Sequence, residues 1–219
     1  MSDVVLFGTG DFARVARIYL DSDSPHRVVA HTVNERYVEA LELDGLPVVA
    51  FEELERTHPP GEHAMFVAIG FSRVNQARAD VYAECKERGY HLITYVNSRS
   101  TTYGPVELGD NCFVFEENVI QPRVSIGDDV ILWSGNHVGH DSTIGDHCFV
   151  ASHAVVSGNV TIGDFCFVGV NATVRDGVRI APRSVIGAGA LIMKDTEEGG
   201  VYAVRGTEPR DVKSWDLDL

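Results

Sequence analysis

The sequence predicts two consecutive units, a small α/β unit over residues 1–97 and a parallel β-solenoid over residues 98–219. Three observations lead to this prediction. An aliphatic residue stands at every sixth position of the C-terminal half, a tripeptide recurs there every 18 residues, and strand and helix patterns alternate before it. Sequence repeats of this kind form stacked units that bury their apolar sides against one another.

The six-residue period is unbroken from Leu108 to Ile192. Leu/Ile-Gly-Asp recurs at positions 108, 126, 144 and 162, so three hexapeptides make one turn of a triangular coil. Residues from about 106 to 195 are therefore predicted to form five coils, stacked at the strand spacing of about 4.8 Å. The glycine of the tripeptide suits a corner too crowded for a side chain. The aliphatic residues, expected to point inward, are Leu108, Val114, Ile120, Ile126, Leu132, Val138, Ile144, Val150, Val156, Ile162, Val168, Val174, Ile180, Ile186 and Ile192.

The position four residues after each aliphatic is mostly small, and three of the four cysteines occupy it: Cys112, Cys148 and Cys166. No two cysteines form a CxxC pair. We expect reduced thiols that fill corners of the solenoid, with no disulfide or catalytic role.

The N-terminal unit alternates apolar strands with helical stretches, which predicts a small parallel, Rossmann-like sheet. A strand over residues 4–7 leads into Gly8-Thr9-Gly10 and a helix that reaches Leu20. Further strands are expected at 28–30 and 65–69, with a helix from about 73 to 88. The glycine turn leaves free backbone N–H groups, which suits a diphosphate. A dinucleotide is disfavoured because Ala13 replaces the third glycine, and a turn without a ligand remains open.

The net charge of -14 disfavours nucleic acid as a partner, because a polyanion is bound by clustered Lys and Arg. It also disfavours an anionic membrane surface. The first apolar run covers only residues 4–7, too short for a signal peptide, and no stretch is long enough to span a membrane. A cytoplasmic protein is expected.

The hexapeptide pattern of aliphatic, Gly, two variable residues and a small residue resembles that of the hexapeptide-repeat acyltransferases. A small α/β unit before such a repeat is similar to the layout of the nucleotide-sugar N-acetyltransferases and the sialic acid O-acetyltransferases. The resemblance implies a left-handed coil and a homotrimer that holds acetyl-CoA between neighbouring subunits. It also implies a UDP- or dTDP-linked amino sugar of polysaccharide biosynthesis, placed near Gly8, Thr9 and Gly10.

His140 and Asp141 are the catalytic candidates. An imidazole can take a proton from an attacking amine near neutral pH, and a neighbouring carboxylate fixes its tautomer. The resembled family carries His followed by Asp or Glu just before an Ile-Gly-Asp turn, and here Ile144-Gly145-Asp146 follows. The resemblance thus implies that His140 is the general base and Asp141 its orienting partner.

Further site residues follow from the resemblance alone. The amide of Gly158 would face the thioester, Ala188 would line the pantetheine arm, and Lys194 and Arg205 would contact phosphates of CoA. Asn34 or Glu35 is a candidate for contacting the nucleotide base. Trp133 stands where relatives have a small polar residue, and we expect an exposed side chain that reshapes the acceptor pocket.

No metal is expected, since zinc β-helices of the γ-carbonic-anhydrase type use histidines about two coils apart, and no histidine pair here is separated by 36 residues. Two alternatives to N-acylation stay open, a sugar O-acetyltransferase and a non-catalytic nucleotide-binding scaffold. A set of five phenylalanines is expected to pack solenoid faces against neighbouring subunits: Phe113, Phe115, Phe149, Phe165 and Phe167.

Overall fold

The computed structural model describes residues 2–209 and 211–216. Residue 1 of the predicted α/β unit and residues 210 and 217–219 of the predicted solenoid unit lie outside the described residues. The N-terminal unit consists of strands β1 (Asp3–Phe7), β2 (Arg27–Val33), β3 (Glu42–Leu43), β4 (Leu46–Ala50), β5 (His63–Val67) and β6 (His91–Leu92), with helices α1 (Asp11–Asp23), α2 (Leu54–Thr57) and α3 (Gln76–Glu87). The strand order is β3-β4-β2-β1-β5-β6, and among the described pairs of this sheet only β3–β4 is antiparallel.

Both faces of this sheet are buried, which explains the continuous apolar run of β1. Val4 and Leu6 pack with α1 in one cluster, whereas Val5 and Phe7 pack with the α3 side in another. Parallel strands covered by helices on both faces read as unbroken hydrophobic stretches. The hairpin of β3 and β4 at the sheet edge was not predicted, because its strands are short and Pro47 lies within β4.

The C-terminal unit is a parallel β-helix with three sheets, and its first strand begins at Tyr95, before the predicted boundary at residue 97. Its strands are β7 (Tyr95–Val96), β8 (Thr101–Thr102), β9 (Glu107–Leu108), β10 (Phe113–Val114), β11 (Val119–Ile120), β12 (Ser125–Ile126), β13 (Ile131–Leu132), β14 (His137–Val138), β15 (Thr143–Ile144), β16 (Phe149–Val150), β17 (Val155–Val156), β18 (Thr161–Ile162), β19 (Phe167–Val168), β20 (Thr173–Val174), β21 (Arg179–Ile180), β22 (Val185–Ile186), β23 (Leu191–Ile192) and β24 (Val201–Tyr202). The first sheet has the order β24-β22-β19-β16-β13-β10-β7, the second β23-β20-β17-β14-β11-β8, and the third β21-β18-β15-β12-β9.

Strand pairing follows the predicted 18-residue period. Val138 on β14, for example, pairs with Ile120 on one side and Val156 on the other. The aliphatic residues of the hexapeptides form one buried core, confirming the predicted period. Cys112, Cys148 and Cys166 are buried in the same core as free thiols, as expected.

Each corner of the β-helix turns through a residue with φ near +60°. The turn residue is usually not glycine: Asn111 (φ 54), Asp141 (φ 59) and His147 (φ 58) are examples. Glycine is required in the tripeptide because the corner is crowded, as predicted, and not because of its φ. A Cβ on Gly109 would lie 2.6 Å from the backbone N of Asp128 on the next coil, so the corner has no room for a side chain.

The N-terminal unit covers the first sheet of the solenoid. Phe113, Phe115 and Phe149 are buried in one cluster with residues of α1, β1 and β5. Phe167 packs against Phe71, with ring centroids 4.9 Å apart, and Phe165 lies under the guanidinium of Arg183. The prediction of a subunit interface was therefore wrong for Phe113, Phe115 and Phe149, which the chain's own residues bury. Phe165 and Phe167 are partly buried.

A buried ion pair joins the two units. Arg78 on α3 and Asp129 at a solenoid corner both have side chains with 0% exposure, and Nε of Arg78 donates to Oδ1 of Asp129 at 2.9 Å. Asp129 also accepts hydrogen bonds from Asn111 and from Nδ1 of His147. The carboxylate is thus compensated by several donors, which a buried charge requires.

Candidate active site

His140 and Asp141 lie at the corner between the second and third solenoid sheets. Nδ1 of His140 and Oδ2 of Asp141 are 2.6 Å apart, and the backbone N–H of His140 donates to Oε1 of Gln121 at 2.9 Å. The His140 side chain is 50% exposed and that of Asp141 31% exposed. The imidazole is therefore held on one side and accessible on the other.

Asp141 is oriented by Arg123, which lies 18 residues earlier on the preceding coil. Nη2 of Arg123 donates to Oδ2 of Asp141 at 2.7 Å, and its Nε donates to Oδ1. The hydrogen bond from Arg123, followed by the one from His140, lowers the pKa of Asp141 to about 2. A carboxylate ionised at neutral pH can only accept hydrogen bonds, so Nδ1 of His140 carries the proton. The lone pair of the neutral imidazole is then on Nε2.

Nε2 faces Gly158, which occupies the equivalent corner position one coil further on. A Cβ on Gly158 would lie 2.8 Å from Nε2 and 2.9 Å from Cε1 of His140. The next residue, Asn159, donates its N–H to the carbonyl of His140 at 2.8 Å. Among the hydrogen bonds of the described residues, the N–H of Gly158 has no acceptor. A free backbone N–H close to a candidate base is what an oxyanion requires.

The same corner continues with Asp176 and Lys194 on the next two coils, and both are exposed. Oδ1 of Asp176 lies 3.0 Å from the position of a Cβ on Gly158. Ala188 is exposed at another corner, between the first and second sheets, and Arg205 is exposed in the irregular segment after β24. The structure thus aligns Gly158 and Lys194 with His140, but not Ala188 or Arg205.

Gly8, Thr9 and Asn34 line a cavity of about 520 Å³ at the carboxyl ends of β1, β2 and β5. Arg36, Tyr37 and Arg73 also line it. Ligands of open α/β sheets bind at this edge. Gly8 has φ +137, and a Cβ there would lie 2.8 Å from the carbonyl oxygen of Ala68, so glycine is required by the backbone itself. Gly10 immediately precedes α1.

Trp133 is half-buried, whereas an exposed side chain was predicted. Its ring stacks on Phe115, with centroids 4.1 Å apart, and packs against Phe12 of α1 at 5.9 Å. The prediction of exposure was wrong because the N-terminal unit covers the neighbouring sheet. A substrate contact by the remaining exposed part of Trp133 stays a prediction.

The described part of the N-terminal unit contacts two corners of the solenoid but not the corner of His140. Hydrogen bonds from the N-terminal unit reach the corner between the third and first sheets, as in Tyr82 to Asp128 and Asn75 to Cys166. They also reach the corner between the first and second sheets, as in Tyr19 to Glu116. Within the described residues, none reaches the corner of His140.

Gln121, Arg123 and Asp176 are site residues that were not predicted from the sequence. A usable signal existed, since Arg123 precedes Asp141 by one 18-residue period and Asp176 follows His140 by two. Within residues 2–209 and 211–216, no group of three or more His, Cys, Asp or Glu side chains could hold a metal ion. His147 instead forms a hydrogen bond with the buried carboxylate of Asp129.

Known proteins share the repeat and the fold of this chain. Residues 123–158 and 159–194 match the family model of the bacterial transferase hexapeptide with six repeats. The histidine-to-asparagine mutant of perosamine N-acetyltransferase from Caulobacter crescentus, in complex with CoA and GDP-perosamine, superposes with a TM-score of 0.85 at 26% identity, covering 93% of this chain and 94% of that one. The chain carries hexapeptide repeats of the bacterial transferase type and is an acyltransferase. The predicted enzyme class and the predicted fold, including the left-handed coil, are confirmed.

Two further structures share this fold at lower identity. The acetyltransferase domain of PglB from Neisseria gonorrhoeae in complex with acetyl coenzyme A has a TM-score of 0.79 at 22% identity, covering 95% of this acyltransferase and 98% of that chain. WeeI from Acinetobacter baumannii has a TM-score of 0.79 at 19% identity, covering 92% and 96%. No curated protein sequence matches the chain. None of the described helices is long and apolar enough to cross a membrane.

Proposed function

We propose that this acyltransferase moves the acetyl group of acetyl-CoA to the amino group of a nucleotide-linked sugar, with His140 as general base. The observation that carries the proposal is the imidazole of His140, which is fixed through Nδ1 by Asp141 and leaves Nε2 free beside the unpaired N–H of Gly158. The similar perosamine N-acetyltransferase structure contains CoA and a nucleotide-linked amino sugar.

The chemistry needs one base and one oxyanion donor. Nε2 of His140 takes a proton from the acceptor ammonium, and the neutral amine attacks the thioester carbonyl. The C–N bond forms, and the N–H of Gly158 stabilises the developing oxyanion. The C–S bond then breaks, the sulfur of CoA takes a second proton from the nitrogen, and the imidazolium returns its proton to water. Asp141 stabilises the imidazolium meanwhile.

The cavity at Gly8, Thr9 and Asn34 is the proposed nucleotide site. Backbone N–H groups of the turn after β1 suit the diphosphate. Arg36 adds positive charge at the lining, where Arg73 is paired with Asp80 at 2.7 Å. Tyr37 is 58% exposed at this cavity and offers a face for stacking a base. UDP and dTDP remain the proposed carriers, and GDP joins them because the 26%-identical relative was solved with GDP-perosamine.

A homotrimer with active sites between subunits brings the nucleotide cavity of one subunit to His140 of another. His140 lies at the corner opposite the sheet that its own N-terminal unit covers, so the cavity of the same subunit does not approach its base. A neighbouring subunit can place its cavity at that corner. Ala188, Lys194 and Arg205 remain proposed contacts for CoA in this arrangement.

The decisive experiment is CoA release from acetyl-CoA with UDP-, dTDP- and GDP-linked 3-amino, 4-amino and hydroxyl-only sugars, followed by mass spectrometry. We expect turnover of one amino sugar by the wild type and a loss of at least about 10²-fold in His140→Ala. Turnover of hydroxyl sugars only would replace the proposal by O-acetylation. No turnover and no thermal shift with acetyl-CoA would leave a non-catalytic scaffold.

A further inference from the structure

Two coils beyond His140, a carboxylate faces the same gap as the base. Nε2 of His140 and Oδ1 of Asp176 lie 2.8 Å and 3.0 Å from one point, the position that a Cβ on Gly158 would occupy. His140 is on the near side of this point and Asp176, on the second coil along, is on the far side. The two atoms are therefore no more than about 5.8 Å apart, so that one ligand atom can form hydrogen bonds with both.

Asp176 has none of the structural partners that the other aspartates of the coils have. Asp129 pairs with Arg78, Asp141 with Arg123, and Asp128 and Asp146 accept hydrogen bonds from the preceding coils. For Asp176, no ion pair or side-chain hydrogen bond is formed with any residue in the described part of the chain. Its side chain is exposed, so the carboxylate is available to a ligand.

We propose that Asp176 binds the amino group of the acceptor and selects an amine over a hydroxyl. This inference rests on the proposed function. An aliphatic amine is mostly protonated at neutral pH, since the ordinary pKa of a lysine side chain is about 10.4. An ammonium that lies against the Cα of Gly158, outside that point, can donate one hydrogen bond to the Asp176 carboxylate and another to Nε2 of His140. A charge-assisted hydrogen bond of this kind is stronger than one to a neutral group.

The assignment explains why base and carboxylate stand on opposite sides of the gap. Asp176 holds the ammonium and keeps its own charge throughout, while Nε2 accepts the proton that leaves the nitrogen. The neutral hydroxyl of a matched sugar lacks the positive charge that Asp176 attracts. The choice between N- and O-acylation, which the sequence left open, thus becomes a property of one residue two coils from the base.

The test compares wild type, Asp176→Asn and Asp176→Glu on the amino sugar that the wild type turns over fastest in the panel above. Glu87→Gln, which removes one negative charge from the exposed face of α3, is the matched control. We expect Asp176→Asn to raise KM for the amino sugar about 10- to 100-fold. KM for acetyl-CoA should stay within about twofold, and Asp176→Glu should recover part of the loss.

A second measurement isolates selectivity from any structural role. The hydroxyl analogue of the same nucleotide sugar is used as a competitive inhibitor, and its Ki is compared with KM for the amine. Wild type should prefer the amine, and Asp176→Asn should abolish that preference without weakening the hydroxyl analogue. An unchanged preference in Asp176→Asn overturns the inference while leaving the proposed function intact. Absence of any turnover by the wild type overturns the proposed function, and the inference with it.

Discussion

The imidazole of His140 lies over the Cα of Gly158, with its Nε2 2.8 Å from the point where a Cβ on Gly158 would stand. The φ of Gly158 is outside the left-handed region, so the backbone conformation does not require glycine at this position. The requirement is space, because a methyl group would fill the gap that Nε2 faces. The position of the His140 imidazole therefore depends on the absence of a side chain at Gly158 on the next coil.

Gly158→Ala should therefore inactivate the enzyme without unfolding it. The added methyl would displace the imidazole and crowd the backbone N–H, and we expect kcat/KM to fall by about 10²-fold. Steady-state kinetics and a thermal melt measure the two effects. Gly61→Ala is the control, since a Cβ at Gly61 meets nothing within 4 Å and should change neither quantity. A folded Gly158→Ala enzyme with full activity would contradict the proposed site.

Arg123→Met should raise the pKa of Asp141. The hydrogen bond from Arg123 is the first cause of the depressed value of about 2, so its loss should move the pKa towards the ordinary 3.8. A depressed pKa means that the ionised form is favoured in the folded protein and is lost only as the pH falls through about 2. In the variant this loss should begin at higher pH. Carboxyl NMR titration over the folded range measures the shift, and Asp3, whose pKa is lowered by Arg27, should not move.

Asp129→Asn should strongly destabilise the protein. The substitution keeps the shape of the side chain but leaves the buried guanidinium of Arg78 without its counter-charge, which costs about 3–5 kcal/mol. Lys86→Met is the control because Lys86 and Asp110 join the same two units with both side chains exposed, and such a pair contributes at most about 1 kcal/mol. Urea unfolding of both variants gives the two free energies. Similar decreases in the free energy of unfolding of the two variants would contradict the larger contribution expected from the buried Arg78–Asp129 pair.

All four cysteines should be unreactive in the folded protein. Each is buried, and burial raises the pKa of Cys85 and of Cys112 to about 12. The thiolate is the reactive form, so at pH 8 the thiols of Cys85 and Cys112 are protonated as well as inaccessible. Cys148 and Cys166 are inaccessible because both are buried. Ellman's reagent should therefore detect no thiol before denaturation and four after it. Rapid reaction of any thiol in the native state would contradict the packing of the corners.

The solenoid could be predicted from the sequence because its core depends on a pattern that repeats at short, regular intervals along the chain. Each coil repeats the same contacts every 18 residues, so one aliphatic per hexapeptide determines the core from Leu108 to Ile192. His140 and Asp141 could be found for a similar reason, since they are sequence neighbours whose side chains meet at one corner. The cavity residues Gly8, Thr9 and Asn34 follow the ends of predicted strands, where parallel sheets place their loops.

Only the tertiary structure decided which surfaces are covered and which distant residues meet. The aromatic set around Phe113 looked like a subunit interface because a repeat pattern does not reveal that α1 packs on that sheet. The partnership of Arg78 with Asp129 crosses from one unit to the other and depends on how the units dock. Arg123 and Asp176 reach the site only because the coils stack in register, which places Arg123 one period before Asp141 and Asp176 one period after Gly158. Periodicity is fixed by the order of residues, whereas docking and the chemistry of a corner depend on side chains that meet only in the folded chain.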